Sequence, residues 1–453
     1  MSYTVRFAPS PTGMLHVGNI RAALLNYLFV KSHNGKFILR IDDTDRERSR
    51  DEYASAIKND LVWLGICWDE TFCQSSRIDA YNNAFGRLKE LGLVYPCYES
   101  KEELDLKRKI QLSNGRPPIY DRSALKLSDA KKKELEQGGI KPHWRFKLAD
   151  AVVSWDDMIY GHIEFSPGNT SDPIIVKSDG SFVYIFASVV DDINSKITHI
   201  IRGADHIANT ASQLHLYKAL GGDTSAIKFG HYPLLRDIGG KELSKRLSVL
   251  SINTWREEGI EPMAVNSLLA KLGTSDPIEI RHSMSELIKE FDISKISKAE
   301  PKFDDKEVYK LNHSLLSDMP YKDAKLRLRS VGLDSCSEDF WLLIRGNIDL
   351  IKEAKAWWDV IYGDIAKPAG MSSADKSLLK TALDLLMENA PAYQADWGRW
   401  FADIKSQAQR SGRELYTPIR LCLTGQEHGP ELKSMLKLMS LDLVKSRLQA
   451  GAK

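Results

Sequence analysis

The stretch Arg6-Phe7-Ala8-Pro9-Ser10-Pro11-Thr12-Gly13-Met14-Leu15-His16-Val17-Gly18 decides the fold of this chain. The β-branched and aromatic run Tyr3-Thr4-Val5 before it predicts a buried strand. After it, apolar residues recur every four positions from Ile20, which predicts a helix that begins near Asn19. A strand, a tight loop and a helix place a helix N-terminus beside a bound anion. We therefore expect a phosphate or nucleotide site here.

Two residues of this stretch carry the expected chemistry. The imidazole of His16 can donate a hydrogen bond to a phosphate oxygen, and the missing side chain at Gly18 lets a nucleotide lie against the backbone. A histidine and a glycine at this spacing are by themselves equally typical of an ordinary turn. The full string from Pro9 to Gly18 behind a strand is far more specific.

Composition predicts an ordinary water-soluble protein of two or more domains. The chain has 453 residues, and 63 basic against 61 acidic residues give a formal net charge of +2, which does not by itself demand a nucleic-acid partner. Its five cysteines include no close pair, which indicates a reducing compartment. No long apolar run and no basic leader segment stand out, so we predict a cytoplasmic protein without membrane contact.

Strands and helices alternate through the first part of the chain. A strand over 36–41 ends in the carboxylate cluster Asp42-Asp43-Thr44-Asp45, and two amphipathic helices end at Gly65 and Gly92. This β-α-β-α order predicts a parallel sheet, whose carboxyl edge binds ligands. Capping of the next helix is the alternative role of the acidic cluster.

The remaining chain divides by pattern into further segments. Residues 93–182 predict an inserted α+β module, and the sheet pattern resumes over 183–238. Residues 239–305 begin with a glycine loop, and residues 306–453 predict an all-helical half with a break near 367–370. The fold class is therefore α/β, with a Rossmann-like parallel-sheet domain over 1–92 and 183–238 and an all-α C-terminal half.

Two more stretches predict charge at a functional site. Arg202 follows a buried strand, so it needs an anion, and a structural salt bridge to Asp191 or Asp205 is the alternative to a ligand. The loop Gly239-Gly240-Lys241-Glu242-Leu243-Ser244-Lys245-Arg246 brings cations on a mobile tip, which suits phosphoryl or nucleotidyl transfer. On its own, such a loop is more often a surface feature.

Together these motifs resemble a known family. His16-Val17-Gly18-Asn19 resembles the HIGH signature of class I aminoacyl-tRNA synthetases, and Leu243-Ser244-Lys245-Arg246 resembles their KMSKS loop. The strings at 6–18, 40–45, 189–192 and 201–203, together with Pro418-Ile419-Arg420, Leu423-Thr424-Gly425 and Gly429-Pro430-Glu431, are similar to bacterial glutamyl-tRNA synthetases. The resemblance covers essentially the whole chain.

The resemblance implies an activity and its partners. L-Glutamate would react with ATP and Mg²⁺ to give glutamyl-AMP, and the glutamyl group would pass to the 3′ end of tRNA(Glu), and in some relatives of tRNA(Gln) as well. The inserted module would hold the acceptor arm, and the helical half would read the anticodon. The family is usually monomeric.

The resemblance also assigns site residues. Those expected to act in catalysis are His16, Gly18, Lys245 and Arg246. Those expected to bind ATP are Pro9, Ser10, His16, Gly18, Asn19, Ser244 and Lys245. Those expected to bind glutamate are Arg6, Ala8, Ser10, Asp42, Tyr184 and Arg202. Arg6 and Arg202 would hold carboxylates, Tyr184 would hydrogen-bond the substrate and Asp42 would meet its ammonium group.

The chain departs from common members of this family at several positions. Asp42 and Glu242 stand where many relatives have Glu and Lys, and Ser188 and His206 replace a common Asn and a common Trp. Some relatives bind zinc in the inserted module through cysteine and histidine pairs. This chain has Cys97-Tyr98-Glu99 and Asp121-Arg122-Ser123 there, and since a single thiol does not make a zinc site, we predict no structural zinc.

Two other functions remain open at this point. A glutaminyl-tRNA synthetase is compatible with the acidic cluster, but such enzymes usually carry a β-barrel anticodon domain, and no run of short strands follows residue 300. An inactive paralogue that only binds tRNA is the non-enzymatic alternative. The intact His16, Gly18, Lys245 and Arg246 argue against that alternative.

Overall fold

The structure is a computed structural model that describes residues 2–166, 168, 170–241, 243, 252–366 and 370–453. The chain forms two compact units. The first comprises Met1–Trp255 and Val265–Asp304, and the second comprises Arg256–Ala264 and Asp305–Lys453. The predicted helix break falls mainly on residues 367–369, which lie outside the described residues.

All the strands of the described residues lie in the first unit. They are β1 (Thr4–Phe7), β2 (Lys36–Ile41), β3 (Glu70–Cys73), β4 (Val94–Cys97), β5 (His143–Phe146), β6 (Val153–Asp157), β7 (Gly161–Phe165), β8 (Ile174–Val176), β9 (His199–Gly203) and β10 (Lys228–Tyr232).

Helices α1 to α10 cover the chain up to residue 290. They are α1 (Val17–Ser32), α2 (Asp51–Trp63), α3 (Ile78–Glu90), α4 (Lys101–Ser113), α5 (Asp129–Gln137), α6 (Tyr184–Asn194), α7 (Ile207–Ala219), α8 (Ile252–Glu258), α9 (Pro262–Lys271) and α10 (Met284–Glu290). None of the helices in the described part of the chain is long and apolar enough to cross a membrane.

The strands form three sheets. One has the order β1-β2-β3 and is entirely parallel. The second has the order β7-β6-β10-β9, with parallel pairing among β6, β10 and β9 and an antiparallel β7 at its edge. The third, β4-β5-β8, is antiparallel. The parallel-sheet architecture predicted from the sequence is therefore confirmed.

The first two sheets adjoin next to β1. The amide of Thr198, just before β9, donates to the carbonyl of Thr4 at 3.0 Å, and the Thr198 hydroxyl accepts from the Thr4 amide at 2.9 Å. The amino ends of β1 and β9 therefore lie close together. Helices α6 and α7 pack against this region through a buried apolar core that includes Phe186, Val190 and Leu216.

The inserted stretch shares backbone pairing with the rest of the first unit. Its hairpin β6–β7 belongs to the same sheet as β9 and β10, and the amide of Met158 donates to the carbonyl of Phe229 at 2.8 Å. Only β4, β5 and β8 form a sheet of their own. Sequence pattern alone did not reveal this pairing, because the two strands involved lie about 70 residues apart.

Element bounds differ slightly from the sequence predictions. Helix α1 begins at Val17 rather than near Asn19, because His16 caps it two residues earlier than the apolar periodicity suggests. Strand β1 starts at Thr4 and continues to Phe7, so Arg6 lies within the strand. The stretch ending in Asp191 and Asp192 forms helix α6.

The second unit is helical in its described part. Its helices after residue 304 are α11 (Asp305–Asp318), α12 (Tyr321–Ser330), α13 (Glu338–Ile344), α14 (Ala354–Tyr362), α15 (Ser373–Glu388), α16 (Ala390–Ala395), α17 (Trp397–Ala408), α18 (Arg413–Thr424), α19 (Leu432–Leu436) and α20 (Leu441–Ala452). The described residues after 304 form no strand, so the helical half is confirmed.

The aromatic cluster of α17 belongs to the core of this unit. Trp397, Trp400 and Phe401 are all buried, and the Trp400 indole donates to the carbonyl of Ala382 at 3.1 Å. Aromatic rings can stack on unpaired bases only when they are exposed. These three rings therefore stabilise the helical bundle, which is the usual role of such residues, and they are not available to stack on bases.

Candidate active site

A cavity of about 660 Å³ opens at the carboxyl ends of β1 and β9 and at the N-terminus of α1. Most of the sequence-predicted site residues that the structure describes line it together. They are Arg6, Ala8, Pro9, Ser10, His16, Gly18, Asn19, Tyr184 and Arg202. The loop between β1 and α1 and the end of β9 therefore build one site, as expected for the carboxyl edge of a parallel sheet.

His16 is the N-cap of α1, and its bonds fix its tautomer. Its Nδ1 accepts from the backbone amides of Gly18 and Asn19 at 3.1 and 3.4 Å, and the Asn19 side chain accepts from the His16 amide in return. Burial lowers the pKa of His16, so the imidazole is neutral near pH 7. With Nδ1 occupied as an acceptor, the proton sits on Nε2, which is left as a donor.

Gly18 keeps this histidine in place by having no side chain. A Cβ at this position would lie 3.1 Å from His16 Cε1 and 3.2 Å from His16 Nδ1, closer than side chains normally approach. Any larger residue would push the imidazole away from its capping position. The spacing of the two residues is thus a packing requirement.

Arg6 belongs to a chain of buried ion pairs. Its Nε lies 3.2 Å from Asp192 Oδ1, and the same oxygen lies 2.8 Å from Arg40 Nη1. Arg40 Nε in turn lies 2.6 Å from Asp42 Oδ1. All four side chains are buried, so each charge depends on its neighbours.

Asp42 does not line the cavity, in contrast to its predicted role there. It is buried against Arg40, and burial raises its pKa to about 6 despite that guanidinium. Its predicted contact with a substrate ammonium group therefore gains no support from the geometry. Arg40 and Asp42 stand two residues apart at the end of β2, which places them on the same side of the chain.

Asp191 is held by a separate set of partners. Its oxygens accept from Arg77 Nε at 2.6 Å, from Tyr81 Oη at 2.8 Å and from Gln74 Nε2 at 2.9 Å. The side chain is completely buried. The paired carboxylates at the end of the apolar stretch thus both hold cations inside the protein, and neither faces the cavity directly.

Arg202 is buried with neutral partners. Its guanidinium donates to Thr210 Oγ1 at 2.7 Å, to Gln213 Oε1 at 2.6 Å and to Tyr184 Oη at 3.3 Å, and Nε lies 3.4 Å from His231 Nε2. In the described part of the chain, no carboxylate comes within 4 Å of it. A salt bridge to Asp191 or Asp205, the structural alternative raised by the sequence, is therefore wrong: Asp191 binds other groups and Asp205 is exposed.

A buried histidine and carboxylate stand behind Arg202. The distance from His231 Nδ1 to Asp157 Oδ2 is 2.5 Å, and both side chains are inaccessible to solvent. His231 Nε2 faces the Thr210 hydroxyl at 3.0 Å as well as Arg202. Asp157 ends strand β6 of the inserted stretch, so this stretch contacts Arg202 through His231.

Two residues that the sequence analysis named without giving them a binding role also line the cavity. Asp205 and His206 follow β9 and line the cavity next to Tyr184, whose ring centroid lies 5.8 Å from that of His206. Burial, assisted by nearby Arg202, lowers the pKa of His206 to about 4. Their position directly after a buried strand with a terminal arginine was the available signal. Ser244, Lys245 and Arg246 lie outside the described residues.

Three potential metal ligands lie together in the inserted stretch. One ligand atom each from Cys97, Glu99 and His143 lie within 4.8 Å of one another. Glu99, however, already accepts from Tyr120 Oη at 2.7 Å, and burial, together with the positive charge of Arg145, lowers the pKa of His143 to about 4. That positive charge would also repel a bound cation. A fixed guanidinium beside a single thiol does not fit a four-ligand zinc site. The absence of structural zinc stays a prediction.

Comparisons with known proteins agree along the whole chain. The family described as tRNA synthetases class I (E and Q), catalytic domain, matches residues 2–310, and a family described as an anticodon binding domain matches residues 343–452. Glutamate–tRNA ligase 1 of Brucella ovis and glutamate–tRNA ligase 2 of Brucella melitensis are each 46% identical to it, over 99% of this chain and 100% of theirs.

Solved structures of similar fold are also glutamate–tRNA ligases. A crystal structure of a glutamate tRNA ligase from Elizabethkingia meningosepticum, in complex with its amino acid, is 27% identical, with a TM-score of 0.86 over 100% of this chain and 99% of that one. The glutamate-tRNA synthetase of Elizabethkingia anophelis is 26% identical, with a TM-score of 0.85 over the full length of both chains.

Proposed function

This chain belongs to the glutamate–tRNA ligases of the class I aminoacyl-tRNA synthetase family, and from that premise we propose that its cavity binds L-glutamate and ATP side by side. One observation carries the proposal. A buried arginine without a carboxylate partner, Arg202, shares the cavity with the N-terminus of α1 and its His16 cap. The arginine can pair with a carboxylate, and the helix N-terminus with its histidine can bind a phosphate.

The proposed reaction needs no enzyme nucleophile. A carboxylate oxygen of glutamate attacks the α-phosphorus of ATP, the bond to the bridging oxygen breaks, and pyrophosphate leaves with that electron pair. A hydroxyl of the terminal tRNA ribose then attacks the acyl carbon and AMP departs. Catalysis is therefore positioning and charge stabilisation. His16 Nε2–H would donate to phosphate oxygens, and Mg²⁺ would accompany ATP as part of the substrate.

Other roles in this step rest on the family resemblance. Lys245, assisted by Arg246, would stabilise the charge on the α-phosphate and on the departing pyrophosphate. Ser244 would bind ATP with Pro9, Ser10, Gly18 and Asn19. A cation on a glycine loop acts when the charge develops, so it accelerates the step without tightening ground-state binding.

The glutamate pocket would use two arginines. Arg6 would bind the side-chain carboxylate and thereby reject glutamine, since its guanidinium fork matches a carboxylate and not an amide. Arg202 and Tyr184 would hold the substrate from the β9 side, while Ala8 and Ser10 line it. Among the described lining residues, Asp205 also offers a carboxylate to the ammonium group, the role predicted for Asp42.

Larger surfaces would bind tRNA. Residues 93–182 would hold the acceptor arm, and residues 306–453 would read the anticodon, with lysine and arginine side chains on the phosphates. The match of residues 343–452 to an anticodon binding domain supports the second assignment. The substrate would be tRNA(Glu), with tRNA(Gln) as a second candidate. We propose a cytoplasmic monomer.

Charging of purified transcripts tests the proposal. With glutamate, ATP and Mg²⁺, the chain should glutamylate tRNA(Glu). The matched control is His16→Asn, which keeps an acceptor to cap α1 but removes the Nε2–H donor, and it should fold normally while kcat falls about 100-fold.

The outcomes separate the remaining alternatives. Charging of tRNA(Glu) alone indicates a discriminating enzyme, and charging of both transcripts indicates tolerance of the glutamine anticodon. Charging of neither contradicts the proposal and favours a tRNA-binding paralogue. Formation of glutaminyl-tRNA from free glutamine would instead indicate a glutaminyl-tRNA synthetase.

A further inference from the structure

We propose that His231, held by Asp157, is a positioning residue that fixes Arg202 for recognition of a substrate carboxylate. The inference rests on the proposed role of Arg202 in binding glutamate. None of the motifs in the sequence includes His231 or Asp157. Both are fully buried, and both lie behind the cavity rather than in it.

The first step is the direction of each hydrogen bond. Arg202 has only donors, so His231 Nε2, 3.4 Å from Arg202 Nε, must act as an acceptor. Thr210 links the same groups, since its hydroxyl accepts from Arg202 Nη2 at 2.7 Å and lies 3.0 Å from His231 Nε2. The Arg202 contact requires an Nε2 without a proton, whereas the Thr210 hydroxyl, which can also donate to the His206 carbonyl at 3.3 Å, is compatible with either tautomer.

The second step is how that tautomer is fixed. Asp157 Oδ2 lies 2.5 Å from His231 Nδ1, so the proton of a neutral imidazole stays on Nδ1. Asp157 is itself fixed, because its Oδ1 accepts from the amides of Ile159 and Tyr160 at 3.0 Å each. This fixed carboxylate therefore keeps the proton on Nδ1 and leaves Nε2 as the acceptor that contacts Arg202.

The third step is charge. Tyr184, Thr210, Gln213 and His231 all present neutral acceptors to Arg202. Because burial lowers the pKa of His231, the ring does not place a second cation beside the guanidinium at neutral pH. The arginine is oriented without being neutralised, and its full charge is left for a substrate anion.

The test inverts the tautomer without changing the shape of the site. In Asp157→Asn, the amide oxygen keeps the backbone bonds, but the NH₂ group faces His231 Nδ1 and forces the proton onto Nε2, against Arg202. We expect KM for glutamate to rise about tenfold or more, with KM for ATP unchanged, in pyrophosphate exchange with tRNA present. Asp172→Asn is the matched control, a buried carboxylate of the same inserted stretch that Tyr95 and Arg122 hold.

A second pair of variants keeps the test valid if Asp157→Asn folds poorly. Thr210→Val removes the linking hydroxyl and should raise KM for glutamate about tenfold, while Thr210→Ser should restore it. A parallel rise of both KM values, or no rescue by serine, would overturn the inference. If Arg202→Met itself leaves KM for glutamate unchanged, the proposed role of Arg202 fails, which is a distinct result.

Discussion

The two arginines of the cavity are held in contrasting ways. Arg6 is tied at Nε to Asp192, and in the described part of the chain its two terminal nitrogens have no protein partner. Arg202 makes four hydrogen bonds, all to neutral acceptors, which leaves one of its five N–H groups. Arg6 therefore has two terminal nitrogens available to a ligand, while Asp192 balances its charge. Arg202 has only one N–H group available, but no carboxylate among the described residues balances its charge.

This difference indicates how the pocket could distinguish glutamate from glutamine. A free guanidinium fork recognises the geometry of a carboxylate, because two parallel N–H groups need two acceptor oxygens. A buried unbalanced cation recognises only the sign of the charge, at longer range. Both requirements together would select a substrate with two carboxylates, and each can be removed separately.

The largest effect is expected for Arg6→Met. It removes the fork and also one of the two arginines that balance the buried charge of Asp192, so kcat/KM for glutamate should fall about 1000-fold. Adding Asp192→Asn should recover at least about tenfold of that loss by removing the negative charge that Arg6 no longer balances. Adding Asp192→Asn to Arg202→Met should not restore any of the kcat/KM for glutamate that the Arg202 variant loses. Equal recovery in both backgrounds, measured by pyrophosphate exchange with tRNA, would contradict the contrast between the two arginines.

The next effect concerns stability. Asp192→Asn removes the carboxylate shared by Arg6 and Arg40, and breaking such a buried pair should lower the free energy of unfolding by about 3 kcal/mol. Urea unfolding of the whole chain measures this. Asp205→Asn is the control, since it removes an exposed carboxylate of the same cavity and should change stability by less than about 0.5 kcal/mol. A similar loss in both variants would show that the ion-pair chain is not what stabilises the Arg6 side.

The smallest effect is a pH dependence of stability on the Arg6 side. Burial raises the folded-state pKa of Asp42 to about 6, above its unfolded value, so the stability this carboxyl contributes is present at low pH and is lost as pH rises through 6. Relative to Asp42→Asn, the wild type should therefore gain about 1.4 kcal/mol of unfolding free energy between pH 7.5 and pH 5.

The matched comparison for this titration is Arg202→Met. The stability advantage of the wild type over this variant should shrink as pH falls through that range, because Arg202 lowers the pKa of His206 and its removal lets that imidazole protonate more easily in the folded state. A difference of the opposite sign for Asp42→Asn would show that Arg40 keeps the carboxyl ionised throughout. Urea unfolding at several pH values measures both variants.

The half of the site that is local in sequence was predictable. Residues 6–19 form one strand, one loop and the first turn of one helix, so spacing placed His16 and Gly18 at the helix N-terminus, and the family resemblance added Arg6. The helical second half was predictable for the same reason, because helical periodicity is a local signal. The family resemblance extended the assignment to the end of β9.

The other half depends on contacts between distant residues. Arg6 and Asp192 are 186 positions apart, and Asp157 and His231 are 74 apart, so no periodicity connects them. Asp42 was assigned to the pocket by the family resemblance, and that assignment took no account of Arg40, which stands two residues earlier and pairs with Asp42 outside the cavity. That Arg202 has neutral partners became visible only when three separate elements were placed around it.

The pairing of β6 with β10 also determines how late during synthesis this sheet can form. A ribosome synthesises β6 about 70 residues before β10, and β9 about 25 residues before it. Until β10 emerges, both neighbouring strands present an open edge, the kind of surface that recruits other chains. A nascent chain arrested before residue 228 is thus exposed to aggregation, and one extended past residue 232 can close its sheet.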